Sequence, residues 1–325
     1  MGAILLSWLL SQLDVAEVLA AIRAIPPSLL LLGFASYLAG FAFRAIRFRL
    51  LLPKDQPVRH LLPIVLAHYA ALNLIPARLG ELSYIFLLKK VNQISTGRSV
   101  SNLLAARVFD HVTISTMFLV SVCFLDVPTP WIKTLSLTVS GLFVATCALI
   151  ALLFAYQSRY VLWLRGVLRV LKLERSPLAQ RVLRVVEDVV EALAALRIAA
   201  DLAKILAVSL LIWLSIFASN YFLLHAFQVN FAFHEVIFSS TCVILLRFLP
   251  LQLVSGFGIH ETSWVFLAQA LGISRQTAIT AVFGSHLIAT FYLVCFGGYG
   301  LFRLARFLDL PFGKPAPAPC HDDAQ

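Results

Sequence analysis

The sequence predicts an all-α fold, that of a polytopic helical membrane protein. Of its 325 residues, 60% are hydrophobic and only 13% are charged, and the mean hydropathy is +0.90. Soluble domains carry about 25% charged residues. A helix needs roughly 20 apolar residues to cross a bilayer. Five runs approach that length: Pro27–Phe43, Val100–Leu125, Leu135–Tyr156, Ile205–Phe227 and Ala278–Leu301.

These spans leave little room for a separate soluble domain, so one integral membrane domain is expected over residues 1–310. Its halves are expected at about 14–156 and 205–305. Between them, residues 157–204 alternate apolar and basic side chains. This is typical of amphipathic helices at the cytoplasmic surface, although an ordinary helical hairpin also fits. The proline-rich residues 311–325 are expected to be disordered.

Two apolar stretches are each interrupted by proline, glycine and a carboxylate. The first break is Asn73–Glu81 and the second is Pro250–Glu261. In a bilayer, such a break frees backbone groups, which are tolerated only when they are buried in protein or line a cavity. Paired broken segments in the two halves of a chain indicate a transporter-type binding site.

The 26 lysine and arginine residues are concentrated in four regions. These follow the first span, where Arg44 and Arg47 lie, the first break, the central insertion and the last span. The connections Asp126–Trp131 and Gln228–His234 contain none. The positive-inside rule therefore places the four basic regions and the C-terminus in the cytoplasm.

This orientation predicts two re-entrant helical hairpins. Arg59 and Lys89 are both expected in the cytoplasm, so His60–Leu88 must enter and leave the membrane on that side. The same reasoning makes His234–Gly272 a hairpin that enters from outside. Because the order span, hairpin, span then recurs with opposite orientation, an inverted repeat is also predicted.

Six charged residues lie in or beside apolar segments: Arg78, Glu81, Arg107, Asp110, Arg247 and Glu261. At roughly 3 kcal/mol for each charge at the centre of a membrane helix, six unpaired charges would cost on the order of 18 kcal/mol. That exceeds a typical stability of about 5–15 kcal/mol. The charges must therefore be paired or hydrated. They could be internal ion pairs that hold the hairpins, or they could surround a polar cavity that accepts a lipid headgroup.

Some of these side chains suit particular roles. Arg78 is the best candidate to bind a phosphate, because its planar fork matches phosphate oxygens. Asn73 could hydrogen-bond to the freed backbone or to a headgroup, and His260 with Glu261 could carry a coupling proton or form a structural hydrogen bond. The predicted substrate-binding residues are Asn73, Arg78, Glu81, Arg107, Asp110, Arg247, His260 and Glu261.

No nucleophile paired with a base, no metal-ligand spacing and no phosphate-binding glycine loop is found in the sequence. A protein that is not an enzyme is therefore expected, with no cofactor, no metal site and no nucleic-acid partner. His68, His111 and His286 lie in apolar segments and are predicted to be hydrogen-bonded interior residues rather than proton relays.

Four segments resemble the lysylphosphatidylglycerol synthase transmembrane-region family, the flippase-like membrane proteins. They are Asn73–Glu81, Arg107–Asp110, Pro250–Glu261 and Arg44–Pro53, and the resemblance extends over about residues 14–305. It implies transfer of a lipid between leaflets or a part in lipid modification. We expect a stand-alone member of the family without the aminoacyl-transferase domain. The synthase activity is therefore not expected.

These observations together predict a lipid translocase of the bacterial inner membrane. Its headgroup site would lie between the hairpin tips, and its substrate would be an anionic or polar-headed membrane lipid. The alternative is a non-transporting accessory subunit of a lipid or glycolipid biosynthesis pathway, for example hopanoid or polar lipid modification. Its partners would then be lipid-synthesis enzymes. A membrane-embedded lipid transferase is the least favoured interpretation.

Overall fold

The computed structural model describes residues 7, 11–52, 60–75, 79–125, 130–155, 165–170, 199–246 and 257–308, and single positions between 176 and 184. Within these residues every regular element is helical. The helices run in the order α1 Val15–Arg23, α2 Pro27–Leu51, α3 Leu61–Leu74, α4 Glu81–Asn92, α5 Thr96–Cys123, α6 Pro130–Ala155, α7 Ala199–Ala226, α8 Phe233–Leu246, α9 Ile259–Ala270 and α10 Arg275–Leu304. A 3-10 turn at Ala305–Phe307 follows.

Five of these helices, α2, α5, α6, α7 and α10, are long and apolar enough to cross a membrane. They correspond to the five spans predicted from the sequence, three of which were predicted to end one or two residues beyond the helix, and the all-helical membrane fold is confirmed. Their starts are set by local chemistry. Ser95 accepts a hydrogen bond from the Arg98 N–H at the start of α5, and Ser274 accepts one from Thr277 at the start of α10. Such caps satisfy backbone donors that have no partner inside the helix.

The two interrupted stretches each give a pair of short helices, α3 with α4 and α8 with α9. The helices have 14, 12, 14 and 12 residues. At 1.5 Å per residue they extend only about 18–21 Å, well short of a ~30 Å hydrocarbon core. The two helices of each pair pack against each other. Entry from a single face and the inverted repeat stay predictions.

Two apolar clusters hold the short-helix pairs in place. The first surrounds α3 and α4, where the fully buried Tyr84 stacks on Phe48 of α2 and donates a hydrogen bond to Asn102 of α5. The second surrounds α8 and α9, where Phe238 stacks on Phe118 of α5. The long helices connect the clusters, since α7 packs along α2 and α10 packs along α3.

The first span is longer than the sequence predicted. Helix α2 continues to Leu51 rather than ending at Phe43, and it carries Arg44 and Arg47 as buried side chains. The prediction that they follow the end of the span was wrong. The helix continues because Arg is a good helix former and no breaker occurs before Pro53.

Several other predictions concern residues outside the described part of the chain: Arg78, Arg247, residues 311–325 and most of the insertion 157–204.

Candidate functional site

A cavity of about 610 Å³ lies within the helical bundle. Residues from α2 to α10 line it, including Tyr69 and Asn73 of α3, Glu81 of α4, Ser240 of α8 and His260 of α9. Both short-helix pairs therefore contribute to its walls. Its volume falls in the range of about 300–1,000 Å³ found for small-molecule sites.

The structure brings six of the eight predicted site residues together around this cavity. Five of them line it: Asn73, Glu81, Arg107, Asp110 and His260. Glu261 is fully buried and bonds to His286, which also lines the cavity. Arg78 and Arg247 lie outside the described residues. The part that each residue plays in binding stays a prediction.

Asp110 is the centre of a network of charges beside the first short-helix pair. It forms an ion pair with Arg47, with the Nη1–Oδ1 distance at 2.6 Å, and accepts a hydrogen bond of 2.9 Å from the Trp213 indole. Arg47 also donates to Ser209 at 3.1 Å. Arg47 is fully buried, and Asp110 is nearly so. A charge pair without water needs such additional hydrogen bonds to offset the loss of hydration.

Arg107 connects this network to the start of α4. Its Nη2 donates to the Glu81 carboxylate at 3.3 Å, while its Nη1 lies 3.8 Å from Asp110. Arg107 therefore bridges α5 and the start of α4. The side chains of Arg107 and Glu81 remain 36% and 33% exposed, so they are accessible from the cavity.

The first short-helix pair is held by hydrogen bonds at its tip. Asn73 donates to the Tyr69 carbonyl at 2.8 Å, and Ser83 donates to the Gly80 carbonyl at 2.6 Å. His68 shares a 3.0 Å hydrogen bond with Ser83, as expected for an interior histidine. Gly80 packs so closely on α3 that a Cβ there would lie 2.3 Å from the Ala71 carbonyl oxygen.

At the second pair, Glu261 caps the start of α9. Its Oε2 accepts a hydrogen bond of 2.7 Å from the Gly258 N–H, which lies at a φ of 96° that favours glycine. Its other oxygen bonds to Nδ1 of His286 on α10. The imidazole bonded to Glu261 is therefore that of His286, whereas the sequence pointed to His260. The His260 ring lies over His286 with centroids 4.2 Å apart.

Arg44 is the functional candidate that sequence reasoning missed. It lines the cavity, yet only 7% of the residue is exposed. Its guanidinium carbon lies 4.1 Å from the centre of the Tyr69 ring. A signal was available, because Arg44 and Arg47 are three residues apart and share one face of a helix. The signal was overlooked because the charges cluster at the end of an apolar run, where they were expected to follow the span.

Among the described residues, no group of His, Cys, Asp and Glu is arranged to hold a metal ion.

A family model described as the lysylphosphatidylglycerol synthase TM region matches residues 1–297. The chain belongs to this family. The match covers both short-helix pairs and the five long helices, apart from the last turns of α10, so it confirms the resemblance read from the four segments. The family description makes this a membrane protein related to lipids, with several spans. Among curated proteins, none matches the chain.

Proposed function

We propose that the protein moves a lipid between the leaflets of the inner membrane, with the headgroup in the cavity and the acyl chains in the bilayer. The observation that carries this proposal is the cavity lined by both short-helix pairs, whose walls include charged and polar groups and residues of all five long apolar helices. A channel for a headgroup needs such groups, because a polar headgroup cannot cross hydrocarbon without replacing its hydration.

The exposure of Arg107 and Glu81 supports this proposal over a purely structural pair. A purely structural pair can be closed off from the cavity almost completely, as Arg47 and Asp110 are. Arg107 and Glu81 instead remain about one-third exposed towards the cavity. An anionic or polar headgroup could exchange hydrogen bonds with either side chain as it passes.

One observation favours the non-transporting alternative, in which an accessory subunit presents lipid to a synthesis enzyme. Arg47, Asp110, Arg107 and Glu81 are all paired with one another, as a structural network would be. The two functions differ in one measurable property, since only a translocase moves lipid across a bilayer without other proteins.

Reconstitution of the purified protein into liposomes tests the proposal. Fluorescent lipids with anionic, zwitterionic or neutral sugar headgroups are added to both leaflets, and a membrane-impermeant reductant reports the fraction that reaches the outer leaflet. We expect one headgroup class to move faster than in protein-free liposomes. If none moves while loss of the gene abolishes a cellular lipid product, the accessory function is correct.

A matched pair of variants ties any transfer to the cavity. Glu81→Gln removes a one-third-exposed carboxylate that lines the cavity, and we expect the rate to fall about tenfold, as for loss of one charge-assisted hydrogen bond. Asp201→Asn removes a carboxylate of similar exposure, 32%, in an ion pair with Lys204 outside the cavity wall. We expect Asp201→Asn to retain the wild-type rate.

A further inference from the structure

Arg44 lies among aromatic rings in the wall of the cavity. Its guanidinium carbon is 4.1 Å from the ring centre of Tyr69, 5.5 Å from that of Phe41 and 5.8 Å from that of Trp213. Helices α2, α3 and α7 each supply one of these rings. Contacts of this kind stabilise a cation from the face of the ring.

Arg44 differs from the neighbouring arginines in having no carboxylate partner. Arg47 pairs with Asp110, and Arg107 pairs with Glu81, whereas Arg44 takes part in no ion pair within the described part of the chain. Its Nε is buried there without a hydrogen-bond partner. Ring contacts alone do not replace the hydration of a guanidinium, so a partner that supplies oxygen atoms is needed.

The ring contacts leave hydrogen-bond donors of Arg44 for a ligand, since its buried Nε has no hydrogen-bond partner among the described residues. An aromatic ring against the flat side of a guanidinium does not use its N–H donors, which lie in the guanidinium plane. Those donors form a fork that matches two oxygens of one phosphate. Because Arg44 lines the cavity, a ligand held there can reach this fork.

The local charge count favours a ligand with a single negative charge. Three arginines and two carboxylates are described beside the first short-helix pair: Arg44, Arg47, Arg107, Glu81 and Asp110. When all five are ionised, their formal net charge is +1. A phosphodiester carries one negative charge at neutral pH and a phosphomonoester carries more, as phosphorylated side chains do. The nearby carboxylates would repel the extra charge of a monoester.

We propose that Arg44 is the anion anchor of the cavity and binds the phosphate of a phosphodiester, with Tyr69, Phe41 and Trp213 as the wall of the subsite. The identification of that phosphodiester as a lipid headgroup rests on the proposed function. Asn220 and Ser240 are hydrogen-bonded to each other at 3.1 Å and also line the cavity. They are placed to accept the polar remainder of the headgroup.

Equilibrium binding to the full chain in detergent tests this inference without any transfer step. The probes are dioctanoyl phosphatidylglycerol, dioctanoylglycerol without a phosphate, and glycerophosphoglycerol without acyl chains. For the wild type we expect the first probe to bind about tenfold or more tightly than the second, as for a charge-assisted hydrogen bond. Equal binding of these two probes by the wild type would overturn the inference.

Variants assign the phosphate preference to one residue. Arg44→Gln should remove the preference, and Arg44→Lys should retain part of it, since it keeps the charge but loses the fork. Arg303→Gln is the matched control, because Arg303 is an exposed arginine near the Tyr299 ring at 6.0 Å. Should Arg44→Gln fail to fold, Arg44→Lys decides: unaltered affinity and preference would contradict the fork.

The remaining outcomes separate this inference from the proposed function. If glycerophosphoglycerol binds as tightly as the lipid, the anion site stands but its ligand is a soluble phosphodiester. If Arg44-dependent lipid binding occurs in a protein that moves no lipid, the inference stands and translocation falls. If Arg44→Gln moves and binds phosphatidylglycerol like the wild type, translocation stands and the inference falls.

Discussion

Asp110 shows how single residues allow charges to lie within this bundle. Its Oδ1 accepts hydrogen bonds from both Arg47 and the Trp213 indole, and Nη1 of Arg107 lies 3.8 Å from its Oδ2. The sequence required such charges to be paired or hydrated, and Arg107 and Asp110 both form ion pairs and line the cavity. Arg47 was expected beyond the end of the first span, because arginine is a good helix former and its presence after an apolar run does not mark where the helix ends.

The Arg47–Asp110 ion pair is buried and the Arg107–Glu81 pair is partly exposed, so removing the carboxylate should destabilise the protein by different amounts. Asp110→Asn leaves the fully buried Arg47 without its counter-charge, so we expect a loss of about 3–5 kcal/mol of stability. Glu81→Gln removes a pair that is one-third exposed and should cost about 1 kcal/mol or less. Thermal unfolding in detergent measures both. Equal melting temperatures for the two variants would contradict the burial argument.

Two pairs of short helices, α3 with α4 and α8 with α9, are the elements that distinguish this fold from a simple bundle of long helices. The sequence identified both interruptions from Pro, Gly and a carboxylate, and the structure has a pair of short helices at each. It could not identify the contact partners, because these depend on distant segments. Thus Glu261 bonds to His286, 25 residues along the chain, rather than to the adjacent His260.

The tight contact at the first tip predicts a large effect of one methyl group. In Gly80→Ala the new Cβ would lie 2.3 Å from the Ala71 carbonyl oxygen, so α3 and α4 must separate. We expect about 1–3 kcal/mol of destabilisation, as for other overpacked contacts. Gly141→Ala on α6 is the control, since a Cβ there meets nothing within 4 Å and alanine favours a helix. Unfolding midpoints should fall for Gly80→Ala and stay level or rise for Gly141→Ala.

The described part of the whole molecule combines five long helices with two pairs of short ones, and residues from both kinds of helix line the cavity. Hydropathy alone predicted the long helices, because the bilayer fixes their length and composition. The cavity could be predicted only as a place where charges must meet. Its walls combine residues from nine helices, and such packing is not encoded in any single segment.

The same-side entry of each short-helix pair is testable by labelling. After the natural cysteines are replaced, His60→Cys and Lys90→Cys flank the first pair, and Ala232→Cys and Arg275→Cys flank the second. A membrane-impermeant maleimide added to intact cells should leave the first two unlabelled and label the last two. Labelling of only one member of either pair would mean that the segment crosses the membrane, which would contradict the re-entrant hairpin.

If a lipid headgroup passes through the cavity, as proposed, a substitution that fills the cavity should block its transfer. Asn220 lines the cavity, so Asn220→Trp adds an indole that occupies part of its volume. Gly141→Trp adds the same ring where a Cβ meets nothing within 4 Å. The measurement is the rate of phosphatidylglycerol transfer between leaflets in liposomes that contain equal amounts of folded protein. We expect Asn220→Trp to lose the transfer and Gly141→Trp to keep the wild-type rate. A wild-type rate in Asn220→Trp would show that the headgroup takes another path.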